Sequence, residues 1–231
     1  MTQHGLRRLL NHYLTVLLVA GLAILASSTR LAADEFALSM QALRKIEQDY
    51  GNYARQRVLT WYQLIVNHQD APPRDKLELV NNFFNQLAFV QDSELWGQED
   101  YWATPLQMLS SNGGDCEDFS IAKYFTLRKM GITEAHMRLT YVKALQLDQA
   151  HMVLTYFPSP DAEPQVLDNL VNEIRPSSER TDLLPVYSFN GNGLWLAKRP
   201  GMDEHVGRSV RLSRWQAVVE RINDEQIPLG R

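Results

Sequence analysis

The stretch Gly113-Gly-Asp-Cys-Glu-Asp-Phe-Ser-Ile-Ala-Lys-Tyr-Phe-Thr-Leu-Arg-Lys-Met-Gly131 decides how this chain is read. From Cys116 to Met130 it is apolar almost all round, through Phe119, Ile121, Ala122, Tyr124, Phe125, Leu127 and Met130. A helix without a broad polar face belongs inside a domain. Gly131 then supplies the residue that accepts a left-handed conformation at a helix C-terminus. The pattern predicts a central buried helix with the chain's single cysteine in its first turn.

Upstream, apolar residues recur at helical spacing in three groups: Phe36, Met40, Leu43 and Ile46; Val58, Trp61, Tyr62 and Ile65; Leu77, Val80, Phe83, Phe84 and Leu87. Pro72-Pro73 separates the second group from the third. Gln91 to Gly114 reads as irregular and carries Trp96, Tyr101 and Trp102. Downstream of Gly131 the period becomes two. Residues 137–142, 150–157 and 165–168 read as strands joined by short polar turns. Tyr187-Ser-Phe189 and Leu194-Trp-Leu-Ala197 flank Asn190-Gly-Asn-Gly193, a hairpin signal. Leu212 to Ile222 closes as an amphipathic helix. Helices followed by an antiparallel run give an α+β domain, with a helical N-terminal lobe and a central helix packed on the sheet.

The chain has 231 residues, 45% of them hydrophobic, enough for one domain with a sizeable core. A net charge of -4 speaks against a nucleic-acid binder, which carries a basic face. Arg7 and Arg8 precede the thirteen-residue apolar run Leu14 to Ala26, with small residues after it. That is the layout of a signal peptide, here residues 1–33, with cleavage after Ser28 or Ala33. An uncleaved anchor is the alternative, although a spanning helix needs about 20 apolar residues. Removing residues 1–33 takes away three arginines and no acid, which moves the charge from -4 to -7. Export also sharpens the meaning of Cys116. A lone thiol outside the cytoplasm has no partner for a disulfide within its own chain, so it is either a buried spectator or a reactive group.

At a helix start, unpaired N–H groups and the helix dipole lower a thiol pKa and favour the thiolate. Gly113 and Gly114 let the backbone turn sharply there and let a substrate approach. His151 opens one strand and Asp168 ends the next. If those strands are neighbours, imidazole and carboxylate share one end of the sheet. Cys116, His151 and Asp168 then form an activated nucleophile, its base and the orienting acid. His68, His136 and His205 show no metal-ligand spacing.

The chain also resembles the bacterial transglutaminase-like cysteine proteases of the LapG type, within the wider papain/transglutaminase fold. The resemblance rests on Tyr101-Trp-Ala-Thr-Pro105, the segment from Gly113 to Phe125, Leu139-Thr-Tyr-Val-Lys-Ala144, Ala150-His-Met-Val153, Val166-Leu-Asp-Asn-Leu170 and Pro185-Val-Tyr-Ser-Phe-Asn190. It implies a protease domain over residues 34–231, with Cys116 as nucleophile, His151 as base and Asp168 as orienter. It further implies a periplasmic endopeptidase that cuts a large surface adhesin near its N-terminus, commonly at paired alanines, and so promotes biofilm dispersal. The periplasmic domain of an inner-membrane cyclic di-GMP receptor is the implied inhibitor.

Calcium is the implied cofactor, with Asp115, Glu117 and Asp118 beside the nucleophile as implied ligands. Three unpaired anions around one thiol repel each other and raise its pKa. A hard cation with oxygen ligands removes that conflict. Helix capping accounts for one or two of the three acids without any metal. Two other functions stay open: a transglutaminase, in which an amine resolves the same thioester, and a non-catalytic peptide-binding module of the same fold.

Overall fold

The computed structural model describes residues 40–199 and 202–225. The expected signal segment, residues 1–33, and Phe36 lie outside the described residues. Three helices come first: α1 (Met40–Tyr50), α2 (Asn52–Asn67) and α3 (Pro73–Phe84). Gly51, at φ 85°, turns the chain between α1 and α2 in a conformation that a side chain would strain. Pro73 starts α3, where its missing N–H costs no hydrogen bond. Most of the residues the periodicity points to are buried, Leu43 and Ile46, then Val58, Trp61 and Ile65, then Leu77, Val80 and Phe84, whereas Met40 at the start of α1 is exposed and Leu87 lies past the end of α3.

The segment expected to be irregular carries more structure than its pattern suggests. A two-residue strand β1 (Ala88–Phe89) is followed by short helices α4 (Asp92–Leu95) and α5 (Pro105–Ser111), then β2 (Gly113–Gly114). Helix α5 is too short to show a period, but its start is a full capping box. Thr104 Oγ1 accepts from the Gln107 amide, Gln107 Oε1 accepts from the Thr104 amide, and Pro105 sits at the first helical position. Strands β1 and β2 pair in parallel, Ala88 with Gly113 and Phe89 with Gly114.

The central helix α6 (Cys116–Lys129) is buried continuously from Asp118 to Leu127. Trp61 of α2 donates its indole N–H to Thr126 Oγ1 at 2.8 Å, satisfying two polar groups in the core. Beyond α6 lie β3 (Met137–Ala144), β4 (Gln149–Tyr156), β5 (Gln165–Leu167), β6 (Arg175–Pro176), β7 (Leu183–Phe189), β8 (Leu194–Arg199) and β9 (Met202–Gly207). They form one antiparallel sheet in the order β6-β5-β4-β3-β7-β8-β9. The fold is therefore α+β, as expected. Strand β9 escapes sequence reading because Asp203, Glu204 and His205 break the apolar alternation. It is an edge strand, and charge on an edge discourages further pairing.

Helix α7 (Ser213–Asp224) closes the core with Trp215, Val218 and Ile222. The Trp215 ring stacks on Phe125 with centroids 5.5 Å apart and meets Phe189 edge-on at 5.3 Å. Phe189 in turn stacks on Trp102. Each such pair contributes about 0.5–1.5 kcal/mol beyond burial. This aromatic column ties α6, α7 and the sheet to the loop before α5. No helix among the described residues is long and apolar enough to cross a membrane.

Candidate active site

The start of α6 is held by a glycine pair whose role differs from the expected one. Neither Gly113 nor Gly114 has positive φ, and both are buried. A Cβ on Gly113 would meet Ala88 O at 2.8 Å, and one on Gly114 would meet Asp118 Oδ2 at 2.5 Å and Asp118 Cβ at 2.7 Å. The glycines make room for β1 and for the Asp118 carboxylate rather than for a substrate.

Cys116 follows as the first residue of α6, half-buried, with its thiol donating to Glu117 Oε2 at 3.1 Å. Ser120, one turn on, donates to the Cys116 carbonyl and to the Met152 carbonyl of β4. That fixes α6 against the strand that carries His151. His151 is 4% exposed, and its Nε2 lies 2.8 Å from Asp168 Oδ1. Burial alone would raise Asp168, but the His151 hydrogen bond and charge, the Leu170 amide and Arg180 outweigh it and hold the carboxyl at about 2. Asp168 is thus an acceptor, so the shared proton resides on Nε2 and Nδ1 is the remaining ring nitrogen. Cys116 and His151 line one cleft of about 530 Å³. Its size is that of an ordinary ligand site.

Of the two opposed influences expected on the thiol, the helix start and the flanking acids, the acids prevail. Burial, then the charge and hydrogen bond of Glu117, then Asp115, push Cys116 above the ordinary thiol range, against a hydrogen bond from Met152. The positive end of a helix is worth about half a charge. Burial, with the Glu117 carboxylate in contact with the sulfur and the other acids near it, outranks that half charge.

Those anions form two overlapping groups. Asp92, Asp115 and Asp118 each offer an oxygen within 4.8 Å of the others, and so do Asp92, Asp100 and Glu117. Asp115 is the residue before the helix, yet its side chain makes no capping hydrogen bond. Asp92 Oδ1, Asp115 Oδ1 and Asp118 Oδ2 are all buried without a hydrogen-bond partner. The other oxygens hold the loop before α5: Asp92 Oδ2 accepts from the Tyr101 amide and Asp118 Oδ1 from the Ala103 amide, the latter at 2.6 Å. Burial raises all three acids, Asp92 to about 6, with Glu117 adding repulsion to each. Buried carboxylate oxygens without partners are costly, and the donor set is all oxygen. It fits a hard divalent cation such as calcium, which takes oxygen ligands.

All six residues singled out in the sequence thus gather at one end of α6, with Glu117 in the second of the two acidic groups. Asp92, Asp100 and Arg180 were missed. Asp92, common to both groups, sits on a helix of four residues with no periodic signal. Arg180 lies in a turn before β7 and donates to Asp168 Oδ2 at 2.7 Å. Asn85, the residue that follows α3, donates to the Asp168 carbonyl at 2.8 Å. Lys123 of α6 was passed over as part of a core helix. It is 1% exposed, and burial lowers its ammonium to about 7, opposed by the charge of Asp168. Trp102 stacks on Phe189 in the core and also lines the cleft. His68 and His136 each bond a backbone carbonyl.

Three comparisons bear on this arrangement. A family model described as bacterial transglutaminase-like cysteine proteinase matches residues 63–189. Among solved structures, Legionella pneumophila LapG matches at 42% identity and a TM-score of 0.69, covering 81% of this chain and 99% of that one. Its calcium-bound form matches at 42% identity and a TM-score of 0.69, covering 80% and 99%. Its EGTA-treated form matches at 42% identity and a TM-score of 0.70, covering 81% and 99%. Comparison with curated proteins gives no match.

Proposed function

The chain belongs to the bacterial transglutaminase-like cysteine proteinase family, and from that premise we propose that it is a calcium-dependent endopeptidase. Its substrate in this reading is the N-terminal region of a large cell-surface adhesin, released from the cell by the cut. The single observation that carries the reading is the end of α6. There the only thiol shares a cleft with His151, which Asp168 holds from behind, and with Asp92 and Asp115, each with a buried carboxylate oxygen that has no protein partner.

In this mechanism His151 Nδ1 takes the Cys116 proton, and the sulfur attacks the scissile carbonyl carbon. The tetrahedral adduct collapses when His151 returns the proton to the leaving amine, which breaks the C–N bond and leaves a thioester. His151 then takes a proton from water, hydroxide adds to the thioester and expels the sulfur, the imidazolium returns the proton to the sulfur, and the peptide acid departs. Asp168 stabilises the imidazolium and fixes its tautomer throughout. Asp92, Asp115 and Asp118 would hold calcium, with Glu117 and Asp100 beside them, and the bound cation would neutralise the charge that keeps the thiol protonated.

Residues 1–33 act as an export signal in this reading and place the enzyme in the periplasm. The periplasmic domain of a cyclic di-GMP receptor would restrain it there. The test uses a recombinant adhesin N-terminal fragment with a paired-alanine site, incubated with the protein in calcium, in magnesium and in EGTA. Cleavage in calcium that disappears in EGTA and in Cys116→Ala supports the proposal. Incorporation of an added amine in place of hydrolysis would move the protein to acyl transfer. Fragment binding without cleavage would make it a binding module.

A further inference from the structure

The two oxygens of Asp168 are held by different partners. Oδ1 accepts from His151 Nε2 at 2.8 Å and from the Leu170 amide at 2.9 Å. Oδ2 accepts from Arg180 Nη2 at 2.7 Å. The Asp168 side chain is 0% exposed and that of Arg180 2%, so no solvent completes either group. Arg180 is fixed in turn by Asp182, with Nε 3.0 Å from Oδ1 and Nη2 2.8 Å from Oδ2. Its backbone is pinned as well, because its amide donates to the Ser177 carbonyl and its carbonyl accepts from the Leu183 amide at the start of β7.

A buried carboxylate facing one imidazole can rotate about its terminal bond and present either oxygen. An Nη2–H held on the second oxygen removes that freedom, because the guanidinium is planar and its Nε/Nη2 edge is fixed on Asp182. It also supplies the counter-charge that the buried carboxylate lacks whenever the imidazole is neutral, as it is at the start of each acylation step. We propose that Arg180 is a positioning residue for proteolysis, acting through Asp168 to aim His151 at Cys116, with Asp182 as its outer anchor. The inference rests on the Cys116–His151–Asp168 reading above.

Arginine rather than lysine is required, since one ammonium cannot reach both Asp168 and Asp182 with the geometry of a planar fork. A merely structural ion pair predicts lower stability with turnover intact in whatever fraction stays folded. A positioning role predicts a loss in kcat that vanishes once Asp168 can no longer orient the imidazole.

The test measures cleavage of the adhesin fragment in calcium by the mature chain, at high enzyme concentration so that slow variants remain measurable. Arg180→Met is expected to lower kcat about 10- to 100-fold, as for loss of a partner behind a metal-bound imidazole, with KM within about twofold. In an Asp168→Ala background, where nothing at this position can orient the imidazole, the same change is expected to cost less than about twofold. Arg180→Lys and Asp182→Asn should give smaller kcat losses with the same dependence on Asp168. They carry the test if Arg180→Met has no melting transition. Unchanged kcat, an effect on KM alone, or an equal loss in the Asp168→Ala background would overturn the inference. Cys116→Ala and His151→Ala run alongside. Cleavage surviving in those two sinks the triad reading itself, whereas their inactivity beside a fully active Arg180→Met sinks the role of Arg180 alone.

Discussion

Replacing Gly114 by alanine should damage calcium binding from a position that offers no ligand. The new Cβ would lie 2.5 Å from Asp118 Oδ2, 2.7 Å from Asp118 Cβ and 3.0 Å from Asp118 Cγ. Ordinary carbon contacts are about 3.5–4.0 Å, so roughly 1 Å of overlap must be relieved. The Asp118 Cβ cannot swing away, because it belongs to the first turn of a helix buried from that residue onward. Either the carboxylate leaves the Ala103 amide or the start of α6 shifts. Overpacking of this kind costs about 1–3 kcal/mol, and a lost charge-assisted hydrogen bond about 1.5–3 kcal/mol. Because relieving one partly relieves the other, we expect a loss of about 3 kcal/mol. For a domain of this size that lowers Tm by about 6–12 °C. Displacing one of three converging carboxylates should also weaken calcium binding about 10- to 100-fold, at roughly 1.4 kcal/mol per tenfold. Melting curves in EGTA and in calcium, with calorimetric titration of the metal, measure both effects. Gly51→Ala is the control, since its φ of 85° strains the backbone while nothing lies within 4 Å of the new Cβ. It should lower Tm and leave calcium affinity alone. A Gly114→Ala protein with wild-type Tm in EGTA and wild-type calcium affinity would refute the argument.

Calcium at about 100 times its Kd should stabilise the fold by about 2.7 kcal/mol, or about 5–10 °C in Tm, with magnesium giving less. No rise in Tm would remove the metal from the cluster. The increment should also grow as pH rises from about 4 to about 6. Burial and Glu117 raise Asp92 to about 6, so its protonated form favours the calcium-free fold at low pH and that contribution is lost as the carboxyl ionises. A pH-independent increment would contradict the assignment. Asp92→Asn should leave Tm in EGTA unchanged or higher, because it removes a buried unpartnered charge, while shrinking the calcium increment; a lower Tm in both media would mark a purely structural carboxylate. Cys116→Ala and His151→Ala should each leave under about 1% of cleavage with the melting transition retained, and Asp168→Asn somewhat more. Turnover above that level in Cys116→Ala would assign the nucleophile elsewhere.

What could be read along the chain was whatever local pattern specifies. Helix α6 announces itself by an apolar run with Gly131 behind it, and β3, β4 and β5 by a period of two. The neighbourhood of β4 and β5, only a condition in the sequence, is met in the fold and carries His151 and Asp168 to one place. Chemically distinctive residues at element ends, such as Cys116 with its flanking acids, are visible for the same reason. Tertiary structure decided the rest, because the remaining partners meet through space with no sequence signal of their own. Asp92 approaches Asp115 and Asp118 only because β1 pairs with β2 across the glycines. Arg180 reaches Asp168 only because the turn before β7 packs beneath it. For the thiol the sequence offers two opposed directions, a helix start that lowers its pKa and flanking acids that raise it, and only the folded chain decides between them. A helix start favours the thiolate, but burial and the placement of Glu117 and Asp115 reverse that preference, and depth and distance exist only once the chain has folded.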